Sequence, residues 1–391
     1  MPDPTAPPAR LNSLDQFRGY TVLGMFLVNF VGGYAVVRQL FPVLLHHHTY
    51  CSYADTIMPQ FFFAVGFAYR LTFLRRAEKE GRASAYRKAV KRALGLLLIA
   101  FVVYGLDGAY DSWTTLRAKG WRTVLADAFQ RNFFQTLAHI GVTSLWVMPV
   151  IARRPAWRVA WAVGSAVLFH VLSAWWYYDW VMKRPGIDGG PLGFLTWTIP
   201  MIAGTLAYDA LAPYLAPVSD TAPSGQVQRP ARPPVAKLLA YGAALMLVGY
   251  GLSCLNRVTP PNTSSGGAGV TAGVFVEPPF FPPSRPVNIW TMSQRAGSVT
   301  YLTFGAGFSL ALYGLFAAAC DVGGWSLGLF RTLGTNALVG YILHDLVNNA
   351  IHPFVPRDSP LWYVAAGLCV SVAISYAILR YLEKHRLFLR L

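Results

Sequence analysis

The stretch FRGYTVLGMFLVNFVGGYAVV, Phe17–Val37, runs 21 residues with Arg18 as its one charge. A bilayer core about 30 Å thick needs ~20 apolar residues of helix, so this segment reads as a span. No small-residue cleavage site accompanies it, which sets it apart from a secretory leader. Nine more stretches follow the same pattern: 55–74, 93–110, 132–151, 157–178, 192–215, 238–255, 298–319, 329–351 and 361–382. The whole chain agrees with this reading. Of its 391 residues 54% are hydrophobic and only 13% charged, against about 25% charged in soluble domains. That excludes disorder, a collagen-like chain and a disulfide scaffold. The expected fold is all-α, a polytopic membrane bundle of about ten helices in one domain.

The basic residues give an orientation, because cytoplasmic loops collect Lys and Arg. With the N-terminus inside, 21 of the 33 fall on inside segments and 11 outside, with Arg70 within the second span. The strongest loop, RRAEKEGRASAYRKAVKR from Arg75 to Arg92, falls inside and suits anionic lipids. Both termini are therefore expected in the cytoplasm. The net charge of +16 is then largely topology, and no nucleic-acid reading module is present. A first helix group, 13–215, is joined to a second, 237–384, by a Pro- and Ser-rich cytoplasmic linker at 216–236. An outside loop at 257–297, rich in Gly and Pro, is placed to fold over a site. The four cysteines form no CxxC pair and give no metal signature. Cys51 and Cys254 both fall near the outside surface, where a bridge between them can persist.

Polar side chains inside spans are costly and persist where they face a cavity or a partner. Asn29 lies in the outer half of span one. His46, His47 and His48 precede Asp55 at the junction with span two, and Gln60 follows inside it. Gln135 and His139 lie in span four. Asn336 and His344 lie two turns apart in span nine, and Asn288 leads into span eight. Most of these gather toward the outside. Each also has a plain structural explanation. A histidine triplet in a loop can simply be solvated, His139 can be a bonded core residue, and helix-to-helix hydrogen bonds account equally well for Asn336 and His344. Asp209 reads as an interface marker.

Several blocks are similar to one family. SLDQFRGYTVLGMFLVNFVGG, Ser13–Gly33, resembles the opening of heparan-α-glucosaminide N-acetyltransferase and its bacterial relatives. HHHTYCSYADTIMPQFFFAVGFAYRL resembles the next family block, and TWTIPMIAGTLAYD, VNIWTMSQRAGSVTYLTFGAGF and LGTNALVGYILHDLV resemble later ones, in the same order. The resemblance implies a transmembrane acetyltransferase in a bacterial inner membrane. It implies acetyl-CoA as cytoplasmic co-substrate and an amino-sugar or glycan acceptor outside. A loop histidine is implied as base or acyl carrier, with Asn29 and Asp55 on matching positions. The family's histidine falls one residue from His46, and His47 and His48 stay open. Thr49, Tyr50 and Cys51 replace the family's Trp–x–Gly. Asn336 and His344 match the third block and, with His139, Gln135 and Asn288, are the cofactor-side candidates.

These residue types suit acyl transfer. An imidazole titrates near neutrality and can act as base, a carboxylate can orient it, and amides can donate to a developing oxyanion. Lys and Arg of 75–92 are candidates for the CoA phosphates. The rival reading is a transporter or flippase with an outer polar cavity and no chemistry. A site-free scaffold is a third. A homodimer is compatible with all of them.

Overall fold

The computed structural model describes residues 11–105, 112–124, 133–183, 188–215, 233–257 and 275–389. Eleven principal helices carry the architecture. They are α1 (Asn12–Val31), α2 (Tyr53–Glu80), α3 (Arg82–Ala100), α4 (Thr136–Val147), α5 (Pro155–Leu172), α6 (Phe194–Leu215), α7 (Val235–Ser253), α8 (Val299–Phe316), α9 (Gly328–Thr335), α10 (Ala337–Ile351) and α11 (Leu361–Lys384). No strand occurs among the described residues. The described residues of the apolar stretches are mainly helical. Five helices are long and apolar enough to cross a membrane on their own: 53–80, 155–182, 235–257, 299–322 and 361–384. The protein is thus a helical membrane protein. Span nine is broken at Asn336, whose non-helical backbone separates α9 from α10.

The bundle has an inside and a rim. α2 and α8 bury about two thirds of their apolar windows, whereas the other three long helices bury about a fifth. Rim side chains such as Val163, Val167, Leu247 and Val370 are apolar and exposed, which suits lipid contact and would be unusual against water. The central helices approach closely because glycines face backbone. A Cβ on Gly66 of α2 would overlap the Met201 carbonyl of α6, and one on Gly204 would overlap the Phe63 carbonyl. Small residues at such crossings let helix backbones touch, a membrane-protein packing device.

α2 is the axis of the molecule. It opens on a reciprocal cap in which the Ser52 N–H donates to Asp55 Oδ2 at 2.9 Å and the Asp55 N–H donates to Ser52 Oγ at 3.3 Å. At 1.5 Å per residue its 28 residues span roughly 42 Å, enough to carry a group at each membrane face. Its buried Arg70 donates from Nε to Asp209 Oδ1 of α6 at 3.0 Å, and Arg158 of α5 also donates to Asp209. Arg158 adds a 2.7 Å bond to Thr205 Oγ1. Asp209 is therefore an internal counter-ion joining three helices. Its placement as a mere interface marker is corrected, since periodicity alone gives no sign of two arginines converging from other helices.

Two further expectations change. The four cysteines are free thiols, so the Cys51–Cys254 bridge is not formed. Cys51 is fully buried and its Sγ is directed at the Ser52 carbonyl at 3.6 Å. Burial and the Asp55 charge push that thiol well above its ordinary value, which disfavours the thiolate needed for oxidation. Most of the proposed linker, 216–232, lies outside the described residues, as does 258–274 of the long loop. The remainder of that loop packs back, with the Phe280 N–H donating to the Cys51 carbonyl at 2.8 Å.

Candidate functional site

The loop between α1 and α2 is folded onto the start of α2 by Asp55. Asp55 Oδ1 accepts from His46 Nδ1 at 2.9 Å, and Oδ2 accepts from the Ser52 and His47 backbone at 2.9 and 3.4 Å. A carboxylate can only accept, so Nδ1 carries the proton and Nε2 is left with the lone pair. Asp55 is fully buried, while 34% of the His46 side chain reaches solvent. His46 is therefore partly open to solvent above a buried carboxylate. Burial lowers its pKa, but the hydrogen bond and charge of Asp55, with Asp188 and Gln294, outweigh that and leave it above the ordinary imidazole value.

The other two members of the triplet have different settings. His47 stacks on Tyr50 and has Nε2 at 2.8 Å from the Pro42 carbonyl. His48 offers its carbonyl to Ser293 Oγ at 2.6 Å, and burial and Arg295 hold its imidazole below the ordinary value. Only His46 bonds a carboxylate side chain to side chain within the triplet.

Two residues absent from the expectations complete this end. Gln294, before α8, donates from Nε2 to Asp188 Oδ1 at 3.1 Å and also favours the protonated form of His46. The row Asp55–His46–Gln294–Asp188 thus draws on the α1–α2 loop, α2 and the two segments leading into α6 and α8. Burial pushes the Asp188 carboxyl up to about 7. In sequence its single mark is a lone acid before Gly-Gly-Pro in a loop, a common pattern for a plain turn.

Asn29 does not join His46. Its Nδ2 lies 2.8 Å from Nε2 of His344, whose Nδ1 faces the Tyr341 carbonyl. Asp345 Oδ1 is 3.1 Å from the same Nε2. Next to this cluster Tyr341 bonds Tyr104, which a π-helical turn at Phe101–Gly105 turns inward. The Tyr341 ring centroid lies 5.6 Å from that of His344.

At the basic end a cavity of about 350 Å³ opens between α1, α2, α3, α4 and the α9–α10 break. That is within the range of small-molecule sites, about 300–1,000 Å³. Arg18, Arg76 and Arg92 line it, with apolar walls including Val65, Leu96 and Ile140. Burial, then the charges of Arg18 and Arg76, hold the Arg92 guanidinium below its ordinary value. Three cations held so close are complementary to a polyanion. Along α2 the lining runs from Arg76 to Phe61, roughly 22 Å, and stops about 9 Å short of Asp55. Tyr341 lines the same cavity.

The remaining candidates divide. Asn336 lines the cavity and donates to the Leu387 carbonyl at 3.3 Å. His139 is fully buried, with both ring nitrogens unpartnered, beside Trp197. Gln135 precedes α4 without a side-chain cap. Asn288 closes a local turn with Thr291 and Trp290, apart from both clusters.

Residues 10–231 match the family described as heparan-alpha-glucosaminide N-acetyltransferase, catalytic. No curated protein matches the chain.

Proposed function

The chain belongs to the heparan-alpha-glucosaminide N-acetyltransferase catalytic family, an acyltransferase family, and from that premise we propose that it moves an acetyl group from cytoplasmic acetyl-CoA to an amino-sugar or glycan acceptor on the other face. The 2.9 Å bond from His46 to Asp55 carries this reading. It orients a partly exposed imidazole through Nδ1, the arrangement a general base needs. His46 takes a proton from the acceptor amine, the amine nitrogen bonds to the acetyl carbonyl carbon, and the carbon–sulfur bond breaks. The departing thiolate is then protonated. An acetyl-His46 intermediate is the two-step form of the same chemistry.

Arg18, Arg76 and Arg92 are proposed to hold the CoA phosphates, and the apolar walls to hold the acyl-bearing arm. Tyr341, which lines that cavity, is proposed to contact the arm. Asn29, held by His344, is proposed as an amide donor near the moving carbonyl. The basic end is placed in the cytoplasm and the protein in a bacterial inner membrane.

The test is to supply purified protein in nanodiscs with labelled acetyl-CoA and D-glucosamine. Release of CoA with equimolar labelled amide supports transfer. Binding of both compounds without CoA release would favour a transporter with the same cavities.

A further inference from the structure

We propose that Asp188 is the subsite that receives the acceptor's ammonium group, so that the site beside His46 selects amines over alcohols. The inference rests on the acyl-transfer reading for the acceptor's identity, but the site is argued from Asp188 itself. Its side chain is only 3% exposed. Oδ1 accepts from Gln294, and Oδ2 has no hydrogen-bond partner among the described residues. A buried carboxylate of this kind is costly unless a cation joins it.

Among the described neighbours only His46 offers it a positive charge, and the imidazole gives that charge up when it acts as base. No described Lys or Arg forms an ion pair with Asp188, and His46 is the one basic side chain whose charge reaches it. Arg295 follows Gln294 in the chain, yet its charge acts on His48. Asp55 is the other carboxylate nearby, and its two oxygens are already taken by His46, Ser52 and His47. That leaves Asp188 as the carboxylate available to a ligand.

Its position is fixed rather than adventitious. The Asp188 carbonyl accepts from Trp197 Nε1 at 3.0 Å, and the Gly189 N–H donates to the Arg295 carbonyl at 3.0 Å. Gly189 has φ of +79°, a conformation that favours glycine. The carboxyl is thus held from both sides, against α6 and against the segment that presents Gln294. Through Gln294 it is one side chain from His46. An ammonium bound at Oδ2 would have its nitrogen beside the proposed base.

The probes are D-glucosamine and D-glucose, which differ by an ammonium in place of a hydroxyl. Binding to the full chain in nanodiscs near pH 7 is measured by calorimetry. The wild type is expected to prefer glucosamine by about tenfold or more, as charge-assisted bonds are roughly twice as strong as neutral ones. Asp188→Asn keeps the Gln294 contact and should bring the two sugars level, with glucose binding unchanged. Asp188→Glu should retain the preference. An undiminished preference in Asp188→Asn, or none in the wild type, would overturn the proposal. If Asp188→Asn does not fold, a His46→Gln background decides. There Asp188 keeps its Gln294 bond with Asp55 fully bonded, loss of the His46 charge raises the carboxyl further, and the preference should grow as pH rises from about 5 toward 7. A flat profile would refute it. Absence of CoA release with this preference intact would sink the transfer reading and leave the ammonium site standing.

Discussion

Asp55→Asn isolates the proposed chemistry from the fold. Oδ2 of Asp55 accepts two backbone N–H groups, from Ser52 at 2.9 Å and His47 at 3.4 Å. In the variant the amide oxygen must keep that position, because an NH₂ there would face two donors. The amide nitrogen is then left opposite His46 Nδ1. It can only donate, so Nδ1 becomes the acceptor and the proton moves to Nε2. His46 loses the lone pair at Nε2. The same inversion in a serine-protease triad costs about 10⁴ in kcat, or roughly 5.5 kcal/mol of barrier. Folding should suffer far less, by about 1 kcal/mol, because the oxygen cap on α2 survives. The assay pairs acetyl transfer to D-glucosamine with a melting curve in the same nanodiscs. A folded Asp55→Asn enzyme retaining more than about a tenth of wild-type kcat/KM would refute the reasoning.

The triplet and the pH profile test the same assignment. His46→Ala should abolish transfer, while His47→Ala and His48→Ala, whose contacts are to backbone and Tyr50, should cost less than about tenfold. A base must be neutral, so kcat/KM should fall as pH drops through the raised His46 value, with the acid limb above the ordinary ~6.5. The stability counterpart has the opposite sense. The extra stability from the His46–Asp55 pair is full below ~6.5 and is lost as pH rises through the raised value, which a pH series of melting temperatures reads. At the basic end, Arg92→Ala or Arg76→Ala should weaken CoA binding about 10- to 100-fold by calorimetry, from lost charge-assisted bonds of ~1.5–3 kcal/mol. Asp209→Ala should cost about 3–5 kcal/mol, seen as a lower unfolding midpoint, since it leaves the buried Arg70 and Arg158 without their shared counter-ion.

The helices were legible because each apolar stretch is bounded by charge, Pro or Gly, and the bilayer requirement is one of length. The count of crossings was less so, because packing sets where a helix breaks. Asn336 interrupts span nine at a point where hydropathy is continuous. Among site residues, the resemblance pointed to Asp55 and the histidine triplet but left the choice among His46, His47 and His48 open, and the cap that folds the loop back is what pairs Asp55 with His46. Asn29 and His344 were each flagged, but their meeting across 315 positions is a product of tertiary packing. Asp188, Gln294 and the Tyr104–Tyr341 pair escaped for related reasons. The acid sits in a turn, the amide in a polar segment, and Tyr104 faces inward because of a π-turn that no periodicity announces.

Sidedness is the most direct test of the whole account. Proteoliposomes of fixed orientation would receive labelled acetyl-CoA on the basic-loop face alone and D-glucosamine on the other. The account expects labelled N-acetylglucosamine to accumulate on the acceptor side, with one CoA released on the donor side per amide formed. Labelled acetyl-CoA left intact with acceptor present on the opposite face, in vesicles whose protein is folded and binds CoA, would contradict it.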